Sequence, residues 1–226
     1  MPKVICAISG GVDSSVAAAL LKKQGFDVLG VFMRFWSESP KKGVTNKWNK
    51  CCSPQAEERA RRVAGQLDIP FYVFDFRKEF KKKVVDYFIQ EYKAGRTPNP
   101  CVVCNKEIKF GLLLKKAFAL EADFVATGHY ARLSFSKKHN NFSHREKFCS
   151  TLGLAPSLRS GRGRSSSEKF FLKDSLTLRL LRAKDKEKDQ SYFLWQLSQK
   201  ELRRCLFPLG DYTKKEVREL AKKFKL

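Results

Sequence analysis

Seven consecutive residues, Ser9-Gly-Gly-Val-Asp-Ser-Ser15, have the composition of an anion cradle. Gly10 and Gly11 carry no Cβ, so backbone N–H groups can close around a phosphate. Ser9, Ser14 and Ser15 add hydroxyl donors, and a helix starting here would aim its positive end at the same anion. Nothing in the chain matches GxxxxGK[ST], so the lysine of a loop that transfers a terminal phosphate is missing. Asp13 inside an anion cradle makes sense when a cation joins it, and Mg²⁺ is the natural candidate. The plainer alternative is an ordinary glycine turn between a strand and a helix. Cys101-Val-Val-Cys104 is the second chemical signal. Two thiols at that spacing suit a zinc or iron–sulfur site, with Cys51 and Cys52 as candidate further ligands.

Hydropathy patterning places both segments on a scaffold. Residues 3–8 read as a short buried strand, and an Ala/Leu-rich helix follows the glycine segment to about Lys23, stopped by Gly25. Phe26–Met33 is a second strand, which makes a strand–turn–helix–strand unit with a right-handed crossover. Ser53-Pro54 pairs a capping residue with a first-turn proline and launches a helix to about Leu67. A third strand is expected over Ile69–Phe74, helices over Phe80–Lys93 and Lys106–Leu120, and a fourth strand over Asp123–Thr127, ending at Gly128-His129. Cys104 then falls just before a helix, and residues 95–100 form a rigid loop. Alternating elements of this kind predict an α/β fold with a mainly parallel sheet.

The alternation breaks after Arg132. Residues 132–184 hold 13 Lys/Arg against 3 Asp/Glu, a local charge of +10, and 134–178 reads as a largely disordered basic loop. Order is expected to resume at Leu176–Leu181, followed by helices near 190–204 and 212–224. The predicted organisation is a catalytic domain over 1–133, a basic Ser/Arg-rich insertion over 134–178 and a helical segment over 179–226.

Composition narrows the partners. The 226 residues carry 46 Lys and Arg against 23 Asp and Glu, a formal charge of +23, which favours a polyanion such as nucleic acid. Hydrophobic content of 42% rules out wholesale disorder, and no apolar run is long enough for a membrane span. The opening goes straight into a strand, so no signal peptide is expected. Seven cysteines in so long a chain fit a reduced, cytoplasmic protein better than a disulfide framework.

Ser9–Ser15 resembles the signature of the PP-loop ATP pyrophosphatases. Further motifs follow in order: Cys51-Cys-Ser-Pro54, Gly95-Arg-Thr-Pro-Asn-Pro100, Cys104-Asn-Lys-Glu-Ile-Lys-Phe110, Ala126-Thr-Gly-His-Tyr-Ala-Arg132, Lys188-Asp-Gln-Ser-Tyr-Phe-Leu194 and Leu206-Phe-Pro-Leu-Gly210. Together they make the chain similar to the tRNA-specific 2-thiouridylase family from residue 3 to the end, apart from 134–178. The resemblance implies a Rossmann-like, adenine nucleotide alpha-hydrolase-like PP-loop domain followed by a helical tRNA-contacting segment. It implies ATP, with Mg²⁺, at Ala7, Ile8, Ser9, Gly10, Gly11, Val12, Asp13 and Ser14, at Met33 and at Gly128. His129, Lys188, Asp189 and Gln190 fall where the family contacts tRNA, and Asn99, Pro100 and Cys101 where it meets the target base. Cys104 takes the place of the nucleophile that carries the persulfide, and Asp13 is the second expected catalytic residue.

The implied reaction is chemically coherent. A ring carbonyl is a poor leaving group, so ATP first converts the C2 oxygen of the wobble uridine, U34, to an adenylate. A sulfur nucleophile must be a thiolate or persulfide, and Lys106 and Lys109 beside Cys104 favour the anion. The base must leave its stack to be reached. The partners implied are a tRNA with U34 and a persulfide sulfur donor, either a cysteine desulfurase or a sulfur-relay protein, with no membrane.

Three features depart from the family pattern. Many members have Asp in place of Cys101; the basic insertion is unusual; and the sequence stops at Leu226, short of the family's second catalytic cysteine and its later domains. An adenylation-only or RNA-binding fragment, and another adenylating PP-loop enzyme, therefore stand as alternative readings.

Overall fold

The computed structural model describes residues 1–35, 53–137, 148–149 and 176–226. Among these, β1 (Lys3–Ala7), β2 (Asp27–Arg34), β3 (Phe71–Asp75), β4 (Phe124–Ala126) and β8 (Cys205–Leu206) form a wholly parallel sheet in the order β3-β2-β1-β4-β8. Chain order moves outward from β1 to β2 and β3 on one side, then returns to β4 on the other. The switch point lies between β1 and β4, and ligands of open parallel sheets bind beyond the strand ends there.

Both faces of the sheet are covered, which explains why β1 is apolar from Val4 onward. Val4, Cys6 and Ile8 face α1 (Val12–Lys23), α2 (Pro54–Gln66) and α8 (Lys214–Lys223) through Val16, Leu20, Leu21, Ala56, Ala60 and Val217. Ile5 and Ala7 point the other way, into a cluster with Ile108, Phe110, Leu113 and Ala117. Those side chains belong to one continuous helical run: α5 (Pro100–Cys104), a π-helical stretch (Asn105–Leu112) and α6 (Leu113–Ala119). A similar run links α3 (Arg77–Phe80), π-helical Lys81–Val85 and α4 (Asp86–Lys93).

The expected α/β core with its parallel sheet is present, and four local expectations change. The helix carrying the cysteines starts at Pro100, because Asn99 accepts from Val102 N–H as its N-cap and Pro100 fills the first turn. Cys104 is therefore inside a helix rather than ahead of one. Second, residues 134–137 are not loop. They continue β5 (Ala131–Lys137), which pairs antiparallel with β7 (Leu176–Arg182) from Ala131↔Arg182 to Lys137↔Leu176, while β6 (Phe148–Cys149) pairs along β5's other edge. The boundaries drawn at 133/134 and 178/179 thus cut through two strands; the rest of the expected basic loop, 138–147 and 150–175, lies outside the described residues.

Third, the expected helix over 190–204 is instead a 3₁₀ turn (Ser191–Leu194), then α7 (Gln199–Leu202), started by a Ser198/Glu201 capping box. Fourth, the sheet gains a strand that the sequence did not predict: the apolar pair Cys205-Leu206 joins the edge of β4, Val125↔Cys205 and Ala126↔Leu206. A vacant parallel edge outweighs a weak local preference there.

Candidate active site

The glycine segment turns directly out of β1 into α1 at the switch point. Gly10 has φ +74°, and a Cβ there would lie 2.3 Å from the Ala56 carbonyl oxygen, so α2 packs hard against bare backbone. Ser14 Oγ accepts from Ser9 N–H at 3.0 Å and donates to Gly11 O at 3.0 Å; Ser15 Oγ donates to the same carbonyl. The Ser14 and Ser15 hydroxyls, expected as phosphate donors, are instead buried and lock the turn. Anion binding falls to backbone N–H groups. Gly11 caps α1 with no side-chain hydrogen bond, and the N–H groups of Val12, Asp13 and Ser14 precede the first intrahelical bond, Ser15 N to Gly11 O.

Gly128 follows β4 and seats against this turn. A Cβ on it would stand 2.8 Å from Ser14 N, so only glycine lets the two strand ends close. Met33 sits at the far end of β2, at the same carboxyl edge, in the cluster that holds Ala7 and Val31. His129 is fixed by a 2.7 Å hydrogen bond between its Nδ1 and Thr127 Oγ1, with the Phe110 and Phe207 rings at 6.0 and 6.4 Å. Burial first, and Lys109 second, hold its imidazole well below the ordinary value, so it is neutral near pH 7.

Asp13 has cationic company that the sequence does not announce. Lys214, at the start of α8, places Nζ 2.6 Å from Asp13 Oδ1, and Tyr130 O–H donates to that oxygen at 2.8 Å. Burial, then the Asp13 carboxylate, push the Tyr130 hydroxyl above its ordinary range, so it remains a donor. Only the capping box Thr213-x-x-Glu216 marks the start of α8 in the sequence, and nothing local ties it to Asp13.

Lys188, Asp189 and Gln190 divide in role. Lys188 is exposed. Asp189 accepts from Ala183 N at 2.8 Å and from Ser191 Oγ at 2.8 Å, and Gln190 Oε1 accepts from Tyr130 N at 3.0 Å while its own N–H reaches Tyr130 O. Both were expected as RNA contacts; the Asp189 side chain ties the end of β7 to the turn at Ser191, and Gln190 ties that turn to Tyr130, the residue that bonds Asp13.

The helix before β4 runs antiparallel to it, which sets its N-terminal turn at the same carboxyl edge as the glycine segment. Phe110 on that helix faces His129, and Cys104 lies under two turns further out. Cys101 is exposed and Cys104 half-buried, and Asn105 Nδ2 anchors the turn to Phe193 O at 3.1 Å. Cys6 and Cys205 are poor nucleophiles. Burial pushes Cys6 up to about 12 and Cys205 well above its ordinary value. Of these four thiols, Cys101 and Cys104 are the two open to sulfur chemistry. Among the described residues no group of three His, Cys, Asp or Glu is placed to hold an ion, and Cys51 and Cys52, the candidate further ligands, lie outside these.

A parallel sheet with a glycine-rich turn and a bare helix N-terminus at its switch point defines a nucleotide-binding α/β domain of the PP-loop type. The chain belongs to the tRNA methyl transferase HUP domain family, whose model matches residues 2–151 and 159–226. It is similar to the tRNA-specific 2-thiouridylase MnmA of Caldicellulosiruptor saccharolyticus, 46% identical over 225 residues, covering 99% of this chain and 52% of that protein. The protein of the same description from Roseiflexus sp. is 46% identical over 221 residues, with 98% and 53% covered. This chain thus spans about half the length of the curated relatives it matches. Among solved structures, one described as a predicted subunit of tRNA methyltransferase from Methanocaldococcus jannaschii aligns over 98% of this chain and 75% of its own, at 17% identity and a TM-score of 0.47. No helix among the described residues is long and apolar enough to cross a membrane.

Proposed function

We propose that this chain carries the ATP-dependent step, and the first sulfur nucleophile, of 2-thiolation of U34 in tRNA, acting in the cytoplasm. One observation carries the reading. The anion-binding turn, Gly128-His129 and the helical turn bearing Cys104 all stand at one edge of one sheet. Backbone N–H groups at Val12–Ser14 hold the phosphates, Gly128 closes the floor, and Met33 borders the place for the adenine. Asp13 would hold Mg²⁺ alongside the phosphates, and the ion would neutralise charge on the departing pyrophosphate.

Adenylation of the C2 oxygen, with pyrophosphate departing, turns it into a leaving group. The outer sulfur of a Cys104 persulfide then attacks C2, and AMP departs with the former C2 oxygen. A second thiol, ending in a disulfide with Cys104, breaks the S–S bond and leaves the sulfur on C2. A persulfide donor protein must reach Cys104, which is half-buried one turn along α5 from the exposed Cys101. Lys188 and the exposed rings of Tyr192 and Trp195 support a tRNA surface, since cations meet phosphates and aromatic faces stack on unpaired bases.

The test is pyrophosphate release from ATP with and without a tRNA bearing unmodified U34. Stimulation by that tRNA, lost with a U34→C transcript, is the expected result. Release indifferent to tRNA would assign the adenylation to another substrate. Tight tRNA binding without release would leave an RNA-binding module.

A further inference from the structure

We infer that Lys214 is the phosphate-binding cation of this site, held by Asp13 until a nucleotide takes it over. The inference deepens the nucleotide-binding reading above and rests on it. The glycine turn brings no lysine of its own, so a polyanion seated on it meets only N–H dipoles from the loop itself. Lys214 supplies the missing full charge from the opposite end of the chain, 201 positions away from Asp13.

Its placement is built rather than incidental. Asp185 Oδ2 accepts from Lys214 N–H at 2.8 Å, and the Thr213/Glu216 capping box fixes the same helix start. Both side chains of the pair are largely enclosed, 25% exposed for Lys214 and 35% for Asp13. Asp13 lies in the first turn of α1 and Lys214 in the first turn of α8, so the positive ends of two helices meet where the pair forms. The Asp13 carboxylate brings a single negative charge to that junction. The triphosphate of ATP carries more charge and more acceptor oxygens, and it competes with Asp13 for one ammonium. On transfer, Lys214 moves to the phosphates, and Asp13 keeps its bond from Tyr130.

The two halves of the pair then have opposite effects on binding, which no merely structural ion pair produces. Titration calorimetry of the whole chain with ATP, AMP and inorganic pyrophosphate, in buffer free of divalent ions, reads this directly. Lys214→Met is expected to weaken ATP and pyrophosphate by about ten- to a hundredfold but AMP by less than about threefold, with Lys214→Arg restoring most of the loss. Asp13→Asn, which frees the ammonium and removes a repelling charge, is expected to tighten ATP by a few-fold. Unfolding midpoints of all three variants confirm that each is folded. Equal loss for AMP and ATP in Lys214→Met, no loss at all, or weakening in both Asp13→Asn and Lys214→Met would overturn the assignment. If the unaltered chain bound neither ATP nor pyrophosphate, the nucleotide reading itself would fall; if it bound both and Lys214→Met matched it, only the role of Lys214 would.

Discussion

The turn at residues 9–15 and the turn at residues 99–105 stand at the same edge of the sheet and are built in opposite ways. In the first, serine hydroxyls are buried and bonded to the loop's own backbone, and α2 and Gly128 press on it from two sides. In the second, one thiol is exposed and one is half-buried, and the ties include an N-cap and an Asn105 hydrogen bond to Phe193 O. The contrast matches the demands on each. A phosphate cradle works by being rigid before the ligand arrives, because dipoles already in place need no reorganisation. A sulfur carrier must meet a donor protein and then a base extracted from RNA, so access matters more there than rigidity.

Two glycines test that contrast most strongly. Gly10 and Gly95 both sit at positive φ, +74° and +71°, but a Cβ at Gly10 would strike Ala56 O, whereas one at Gly95 meets nothing within 4 Å. Gly10→Ala is expected to cost roughly 2–4 kcal/mol of unfolding free energy and to abolish ATP binding, through left-handed backbone strain plus a clash. Gly95→Ala carries the backbone strain alone and should cost only about 1 kcal/mol with ATP binding intact. Urea unfolding and calorimetry on both variants decide it, and equal costs would mean that the 9–15 turn is packed no more tightly than the open turn after α4, which leads into residues 99–105.

Thiol reactivity separates the regions next. A group whose pKa is raised to about 12 exposes thiolate to only about one part in 10⁴ at pH 8, and that fraction grows tenfold per pH unit. Iodoacetamide at pH 8 should therefore label Cys101 and Cys104 at least about a hundredfold faster than Cys6. Peptide mass spectrometry over a time course reads all three sites in one sample. Comparable rates at Cys6 would mean that the sheet opens far more readily than its packing implies.

Legibility in the sequence followed chain distance. The glycine turn is one contiguous heptad of glycines, serines and an aspartate, so composition alone exposes it. The serines nevertheless bond inward, because a buried hydroxyl takes the nearest carbonyl, a choice that residue type does not reveal. Lys214 was invisible because its partner is at the other end of the chain. So was β8, since two residues carry no periodicity and only the free edge of β4 selects them. The start of α5 could have been read: Asn99-Pro100 repeats the cap-plus-proline signal recognised at Ser53-Pro54, and the proline-rich context of residues 95–100 masked it.

That start also supplies the smallest and most discriminating effect. Asn99 was expected to meet the target base, and its carbonyl oxygen is seen capping the helix that holds both thiols. The two roles separate by substitution. Asn99→Asp retains an excellent N-cap, whereas Asn99→Ala removes it at a cost of about 1 kcal/mol. If positioning Cys104 is the whole contribution of Asn99, the Asp variant keeps the stability and the thiolation rate of the parent and the Ala variant loses some of each. If the side-chain amide also donates to the base, the Asp variant unfolds like the parent yet thiolates more slowly, since a carboxylate cannot supply that N–H and repels the uracil oxygens. Unfolding free energy and single-turnover thiolation, measured on the two variants together, place Asn99 on one side or the other, because only the second role uncouples stability from rate.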